Sequence, residues 1–209
     1  MSRERERASH RRAASALGKG EQTRRAILDA AIARFGREGF RGTSVARIAR
    51  DALVGGTVAY AYFPNKEALF LAAVDEDAAA VIEAGVTSAV SEARIGSWPL
   101  TVVGGVMAAL EYHPLARRLL AGLEPEATVR VLEIPALAEL RKACAERLRV
   151  EQAAGTVRAD IDAFAMGNGI VAIMLSLLMS VVQLGGSTAA EYGEDVSAVL
   201  EAAVHVPAQ

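Results

Sequence analysis

Residues 43–66, TSVARIARDALVGGTVAYAYFPNK, predict two short helices separated by a tight turn. In the first helix, Val45, Ile48, Ala49 and Ala52 recur at i, i+3, i+4 and i+7, which is one apolar stripe of an α-helix. The next four residues, LVGG, are too few for anything but a turn. A second helix is therefore expected to begin at the glycines.

The start of the first helix carries two hydroxyl residues and a nearby arginine. Either Thr43 or Ser44 stands where an N-cap belongs, and Arg47 lies on the polar side of the helix. A helix N-terminus with a hydroxyl group and free N–H groups also suits a phosphate oxygen. We expect this helix start to act as a cap and as a phosphate contact.

The second helix has two different sides. Ala59, Tyr62 and Phe63 fall on the side that can pack, and the opposite side is made of small residues, a hydroxyl and a phenol: Gly56, Thr57, Tyr60 and Ala61. A backbone bare of large side chains can approach the major groove of DNA while Thr and Tyr reach phosphates or base edges. The pattern predicts a DNA-binding helix.

The residues that follow this helix end it and begin the next one. Pro64 stops the second helix, and Asn65 is a good N-cap for the third. Lys66 in a first helical turn opposes the helix dipole, but it suits a phosphate group. The lysine is therefore predicted to serve DNA binding.

In this order and at this spacing, the motifs resemble the N-terminal domain of TetR-family transcriptional regulators, over residues 23–77. TRRAILDAAIARFGREGF corresponds to helix one, TSVARIARDAL to helix two and YFPNKEALF to the end of the motif. The resemblance implies an all-α fold, with an N-terminal three-helix helix-turn-helix DNA-binding domain followed by a helical-bundle ligand-binding and dimerisation domain. It also implies a cytoplasmic homodimer that binds a near-palindromic operator in double-stranded DNA and responds to a small-molecule effector, here unidentified.

The candidate DNA-binding residues combine those on the polar helix sides with those that match the family's positions. They are Thr43, Ser44, Arg47, Gly55, Gly56, Thr57, Tyr60, Ala61 and Lys66. Three departures from the family stand out: Leu53 occupies a turn position where the family usually has Gly, Gly55 and Gly56 replace polar residues, and Ala59 replaces a bulkier aliphatic residue. We expect strain at Leu53 if its backbone is left-handed, and more readout of DNA shape than of bases.

The net charge differs between the N-terminal and C-terminal parts of the chain, which indicates that the two parts have different partners. Residues 1–66 hold 14 Lys+Arg and 6 Asp+Glu, a net charge of +8, whereas residues 67–209 hold 9 and 19, a net charge of −10. We predict a basic disordered arm over residues 1–20, the DNA-binding domain over 21–66 and the helical ligand-binding and dimerisation domain over 67–209. The arm is either a solvated tail or a segment that follows the DNA backbone or enters a minor groove.

Beyond residue 77 the chain reads as helices broken at Trp98-Pro99, His113-Pro114, Glu124-Pro125, Ile134-Pro135, Gly155 and Gly185-Gly186. Residues 163–184 carry no charge and are long enough to cross a membrane. Polar residues such as Asn168 and Ser176 interrupt the segment and no basic flank marks one end, so we predict a buried interface and no membrane association. The resemblance assigns the dimer seam to this segment, including Leu177, paired with residues of the last helix: Tyr192, Val196, Val199, Leu200 and Ala203.

The sequence assigns no ligand-binding residue. Six residues are candidates to line an apolar pocket: Trp98, Met107, Tyr112, His113, Phe164 and Met174. Methionine and aromatic residues at helical spacing are, however, also typical of an ordinary hydrophobic core. The alternative to a ligand-controlled repressor is an architectural DNA-binding protein whose C-terminal domain only dimerises. A cavity of several hundred Å³ would favour ligand control, and a solid core the alternative.

Catalysis, cofactors and metals find no support in the sequence. The chain has three histidines and a single cysteine, Cys144, which lies on an amphipathic stripe without a Cys-His signature nearby. We expect no enzymatic activity, no cofactor and no metal site.

Overall fold

The computed structural model describes residues 18–90 and 98–206, and these residues form helices and connecting turns without any strand. The chain divides into two compact units, Met1–Val74 and Asp75–Gln209. The predicted all-α fold is confirmed. The division falls later than the predicted boundary after residue 66, inside one continuous helix, and most of the predicted arm lies outside the described residues.

Unit 1 contains α1 (Lys19–Gly42), α2 (Val45–Asp51), α3 (Gly56–Tyr62) and the first part of α4 (Lys66–Val90). α1 begins earlier than the predicted start at Thr23. Near its end Gly39 has φ of 73°, in the region of backbone conformation that favours glycine at the end of a helix.

The core of unit 1 comes from the apolar stripes that the sequence predicts. Ile27, Leu28 and Phe35 of α1 are fully buried, and the ring of Phe35 packs edge-on against Phe70 of α4 with centroids 5.0 Å apart. Ile48 of α2 is buried in the same unit. The short helices are therefore held by side-chain packing, since isolated helices of this length are not stable in water.

The turn between α2 and α3 has a left-handed backbone at a non-glycine residue. Leu53 has φ of 57°, and its side chain is 93% exposed. The N–H of Leu53 donates to the Arg50 carbonyl (3.1 Å) and that of Val54 to the Ala49 carbonyl (2.9 Å), so the turn fixes this conformation. The condition for the expected strain is therefore met, since the Leu53 backbone is left-handed and its exposed side chain gains no packing in return.

Unit 2 contains the rest of α4 and six further α-helices among the described residues. These are α5 (Trp98–Ala109), α6 (Pro114–Leu120), α7 (Pro125–Thr128), α8 (Pro135–Ala153), α9 (Ala163–Leu184) and α10 (Gly186–Val204), with a 3₁₀ helix at Val129–Glu133. The predicted breaks are confirmed because α6, α7 and α8 each begin at a proline, which needs no N–H partner in the first turn. The 3₁₀ helix was not predicted.

α9 is the central helix of unit 2 and packs closely along α8. A Cβ atom on Gly167 would lie 2.9 Å from the backbone nitrogen of Ala145, so the two backbones approach where the glycine stands. By length and composition alone α9 is apolar enough to cross a membrane, but its buried side belongs to the core of unit 2. Leu177 and Leu200, assigned to a dimer seam, lie in this core too, and that part of the assignment is wrong.

We expect Leu53→Gly to stabilise the protein by about 1 kcal/mol, because glycine relieves the left-handed strain and loses only part of that gain to its flexible unfolded state. Leu53→Ala is the control, since alanine keeps the strain and removes the exposed side chain. Thermal unfolding measures both variants. A Leu53→Gly variant no more stable than Leu53→Ala would show that the backbone at residue 53 is not strained by a side chain.

We expect Gly167→Ala to destabilise the protein by about 1–3 kcal/mol, because the new methyl group meets backbone atoms of Ala145 that cannot move independently. Gly104→Ala in α5 is the control, since a Cβ there meets no atom within 4 Å and alanine favours a helix. Denaturant unfolding should show a lower free energy of unfolding for Gly167→Ala and a higher one for Gly104→Ala. Equal effects would show that the helices do not approach as described.

Candidate DNA-binding surface and effector cavity

The two hydroxyl residues at the start of α2 have different surroundings. Thr43 is only 4% exposed, and its Oγ1 donates to the Gly39 carbonyl at 2.8 Å. Ser44 is exposed and is the N-cap, since its Oγ accepts from the Arg47 N–H at 3.4 Å. The prediction that Thr43 reaches a phosphate is therefore wrong, because its hydroxyl is buried and used inside the protein, and Ser44 is the accessible hydroxyl.

α3 is buried on one side only. Ala59 and the following Phe63 are buried in unit 1, whereas Thr57, Tyr60 and Ala61 are exposed. Gly55 and Gly56 at the start of the helix are exposed as well. The structure therefore brings the predicted groove-facing residues together on one accessible surface, with the Tyr60 side chain 53% exposed.

Lys66 stands at the first turn of α4, just beyond α3. Its Nζ lies 4.2 Å from the centre of the Phe40 ring, a cation–π contact that holds the ammonium group near the helix start. Asn65 caps this helix, because its Oδ1 accepts from the Ala68 N–H at 2.7 Å. Lys66 remains partly exposed.

An ion-pair network that the sequence analysis did not predict fixes α2 against α1. Arg34 Nε lies 2.6 Å from Asp51 Oδ2, and Arg34 Nη1 lies 2.7 Å from Glu38 Oε1. The other Glu38 oxygen, Oε2, lies 3.4 Å from Arg47 Nη1. The hydrogen bond from Arg34 holds the pKa of Asp51 below its ordinary value, and the same bond raises the pKa of Arg34. Arg47, a candidate phosphate contact, is thereby oriented by Glu38.

Two exposed apolar residues beside this surface were not among the candidates. Val58 on α3 is exposed, as is Leu53 in the turn before it. The sequence pattern does not mark Val58 as exposed, because an apolar residue on a short helix is read as core, and the expectation for Leu53 concerned only its backbone conformation. Apolar side chains of this kind can contact thymine methyl groups.

Unit 2 contains a cavity of about 80 Å³, and the sixteen described residues that line it are all Ala, Val, Ile, Leu or Met. Of the residues named as possible pocket lining, Met174 alone is one of them. Tyr112 and Phe164 are exposed instead, and the Trp98 side chain lies outside the described residues.

A buried carboxylate is bound to the backbone of Ala116, one of the lining residues. Asp77 is 3% exposed; its Oδ1 lies 2.6 Å from His113 Nδ1, and its Oδ2 accepts from the Ala116 N–H at 2.8 Å. Ala116 belongs to the first turn of α6, so Asp77 binds the positive end of that helix. His113 therefore has a structural partner on α4.

The features that would suggest catalysis are not assembled in the described part of the chain. Cys144 is buried, and burial raises the pKa of its thiol to about 12, so the reactive thiolate is not formed near neutral pH. No group of three His, Cys, Asp or Glu side chains in these residues is placed to hold a metal ion.

An exposed helix behind a capped partner helix, within a small helical unit, defines a helix-turn-helix DNA-binding protein. Residues 27–73 match the family model described as "Bacterial regulatory proteins, tetR family". Residues 27–73 accordingly belong to the DNA-binding domain of the TetR family.

Solved structures share the fold along nearly the whole chain. A TetR-family transcriptional regulator from Cytophaga hutchinsonii is 20% identical, with a TM-score of 0.72 over 92% of this chain and 99% of that one. A TetR transcriptional regulator from Chloroflexus aurantiacus J-10-FL is 23% identical, with a TM-score of 0.67 over 91% and 100%. No curated protein matches the chain.

We expect the stabilising effect of Asp51 to be lost in acid. Because Arg34 lowers the pKa of Asp51 below 3.8, the pair stabilises the folded state above the unfolded pKa, and this contribution disappears as the pH falls through the lower folded value. The difference in stability between the wild type and Asp51→Asn should therefore shrink as the pH falls below about 4. Urea unfolding at several pH values measures it, and a difference independent of pH would contradict the pairing.

Proposed function

We propose that the protein is a cytoplasmic transcriptional repressor that binds a near-palindromic operator as a homodimer and is released by a small-molecule effector. The observation that carries the proposal is the one-sided burial of α3, which leaves Thr57 and Tyr60 exposed beside two glycines. Such a surface suits close approach to a DNA groove.

The DNA-binding residues we propose are the exposed candidates. Ser44, Arg47, Tyr60 and Lys66 supply donors for phosphate groups, and they flank the small side of α3, formed by Gly55, Gly56, Thr57 and Ala61. Few of these side chains read bases by hydrogen bonding. Specificity would therefore depend on DNA shape and on apolar contacts such as Val58 with thymine.

Dimerisation is supported by an uncharged exposed stripe on α9. Its exposed residues include Ala165, Gly169, Ala172, Ile173 and Ser176, and α10 adds exposed Tyr192 and Val199. Small residues let a partner helix approach closely. A dimer also doubles the number of bases read, because two α3 helices contact two half-sites.

Control by an effector is supported by the aliphatic cavity in unit 2, although its volume of about 80 Å³ is below the several hundred Å³ that we expected. The small volume favours keeping the architectural DNA-binding protein as the alternative. Footprinting on the DNA upstream of the protein's own gene, with and without cell extract, tests the choice. Protection that extract abolishes supports effector control, and protection that no extract alters supports the alternative.

We expect Tyr60→Phe to weaken DNA binding about two- to tenfold, the usual effect of losing one hydrogen bond to a charged phosphate group. Tyr112→Phe is the matched control, since Tyr112 is exposed on unit 2. Fluorescence anisotropy with a duplex selected from a random pool measures both. Equal affinities for the two variants would exclude a role for the Tyr60 hydroxyl.

We expect Val199→Asp to dissociate the dimer and to weaken operator binding with it, because a charge would be buried in the seam. Val150→Asp is the control, since Val150 in α8 is 60% exposed and Val199 63%. Sedimentation velocity reports the oligomeric state. If Val199→Asp and Val150→Asp sediment alike, Val199 of α10 does not lie in the dimer interface.

A further inference from the structure

Among the residues that the structure describes, no polar side chain lines the effector cavity. Every lining residue is aliphatic or methionine, including Val171 and Met174 of α9 and Leu119 of α6. A charged or hydrogen-bonding group placed here would lose its water and gain no partner. The cavity therefore selects against polar groups by its composition alone.

The polar groups next to the cavity are already bound to one another. Both oxygens of Asp77 are engaged, one with the His113 ring and one with the Ala116 N–H. The Leu120 carbonyl accepts from Gln183 Nε2 at 2.8 Å. Because these groups already have partners, a ligand would gain less from them than from an unpaired buried group.

The cavity is small, and three of its lining residues are partly exposed. Its volume of about 80 Å³ is roughly half that of the engineered cavity of about 150 Å³ that is known to bind benzene. Ala78, Ile82 and Leu175 are only partly buried, so the cavity reaches the protein surface beside them. Met174 has a flexible side chain that can make more room.

We propose that the effector of this protein enters the cavity as an uncharged aliphatic group, either a small hydrocarbon or the alkyl end of a larger molecule. The inference rests on the proposed effector control, and it adds the chemical class of the ligand. Each methylene group that the cavity accepts should tighten binding roughly fourfold until the space is filled. A hydroxyl group on the same skeleton should weaken binding roughly tenfold or more.

The experiment compares cyclopentane, cyclopentanol and cyclopentanecarboxylate on the full chain. Binding is followed by the methyl NMR signal of Met174, with Met166 and Met179, which do not line the cavity, as internal references. We expect cyclopentane to shift the Met174 signal and raise the melting temperature, cyclopentanol to bind at least tenfold more weakly, and the carboxylate not to bind. Equal or tighter binding of the carboxylate or the alcohol would overturn the proposal, as would an unchanged Met174 signal in water saturated with cyclopentane.

Two variants locate the binding site. Ala78→Phe places a ring at the partly exposed edge of the cavity and should abolish the cyclopentane-induced shift, whereas Ala79→Phe, at the next and exposed position of α4, should retain it. If Ala78→Phe does not fold, the wild-type comparison of the three probes still decides the proposal. Loss of the shift in both variants, or in neither, would place cyclopentane elsewhere.

A separate measurement keeps this inference distinct from the proposed function. Anisotropy of the selected duplex is recorded with and without cyclopentane. If cyclopentane binds but DNA affinity does not change, the ligand class stands and effector control by that ligand fails. If the protein binds no DNA, the regulatory function fails while the Met174 result keeps its meaning.

Discussion

The burial of Ala59 and Phe63 is the constraint on which the candidate DNA-binding surface depends. α3 has only seven residues, too few for a helix that is stable alone, so packing of this side must hold it. Burying a phenylalanine side chain contributes about 1.5–3 kcal/mol. Once that side is fixed, the helical period leaves Thr57 and Tyr60 on the outside.

Polar contacts hold the elements next to α3 in place and so help to fix the position of that helix. Arg34 joins α1 to the last residue of α2, and Ser44 caps the first turn of that helix. The turn into α3 forces Leu53 into a left-handed conformation. The protein thus places α3 at a defined position with a strained turn that glycine would adopt more easily.

Much of this arrangement can be predicted from the sequence, because the apolar period of each helix decides which side is buried. Val45, Ile48 and Phe63 are buried where their spacing places them, and three helices of unit 2 begin at the predicted prolines. The sequence could not show which of the adjacent hydroxyl residues Thr43 and Ser44 is accessible. In the structure the Thr43 hydroxyl donates to the Gly39 carbonyl, which leaves Ser44 as the accessible one. Long-range pairs leave no periodic signal in the sequence, so the Arg34–Asp51 and Asp77–His113 contacts were missed, and Leu177 was assigned to a seam although it packs within its own chain.

The central claim is that the exposed side of α3 contacts DNA, and hydroxyl-radical footprinting of the protein tests it most directly. The measurement compares the oxidation of tyrosine side chains in the free protein and in its complex with the selected duplex. If the exposed side of α3 contacts DNA, DNA slows the oxidation of Tyr60 and leaves the oxidation rate of the exposed Tyr112 of unit 2 unchanged. Oxidation of Tyr60 at the same rate in the saturated complex would contradict it.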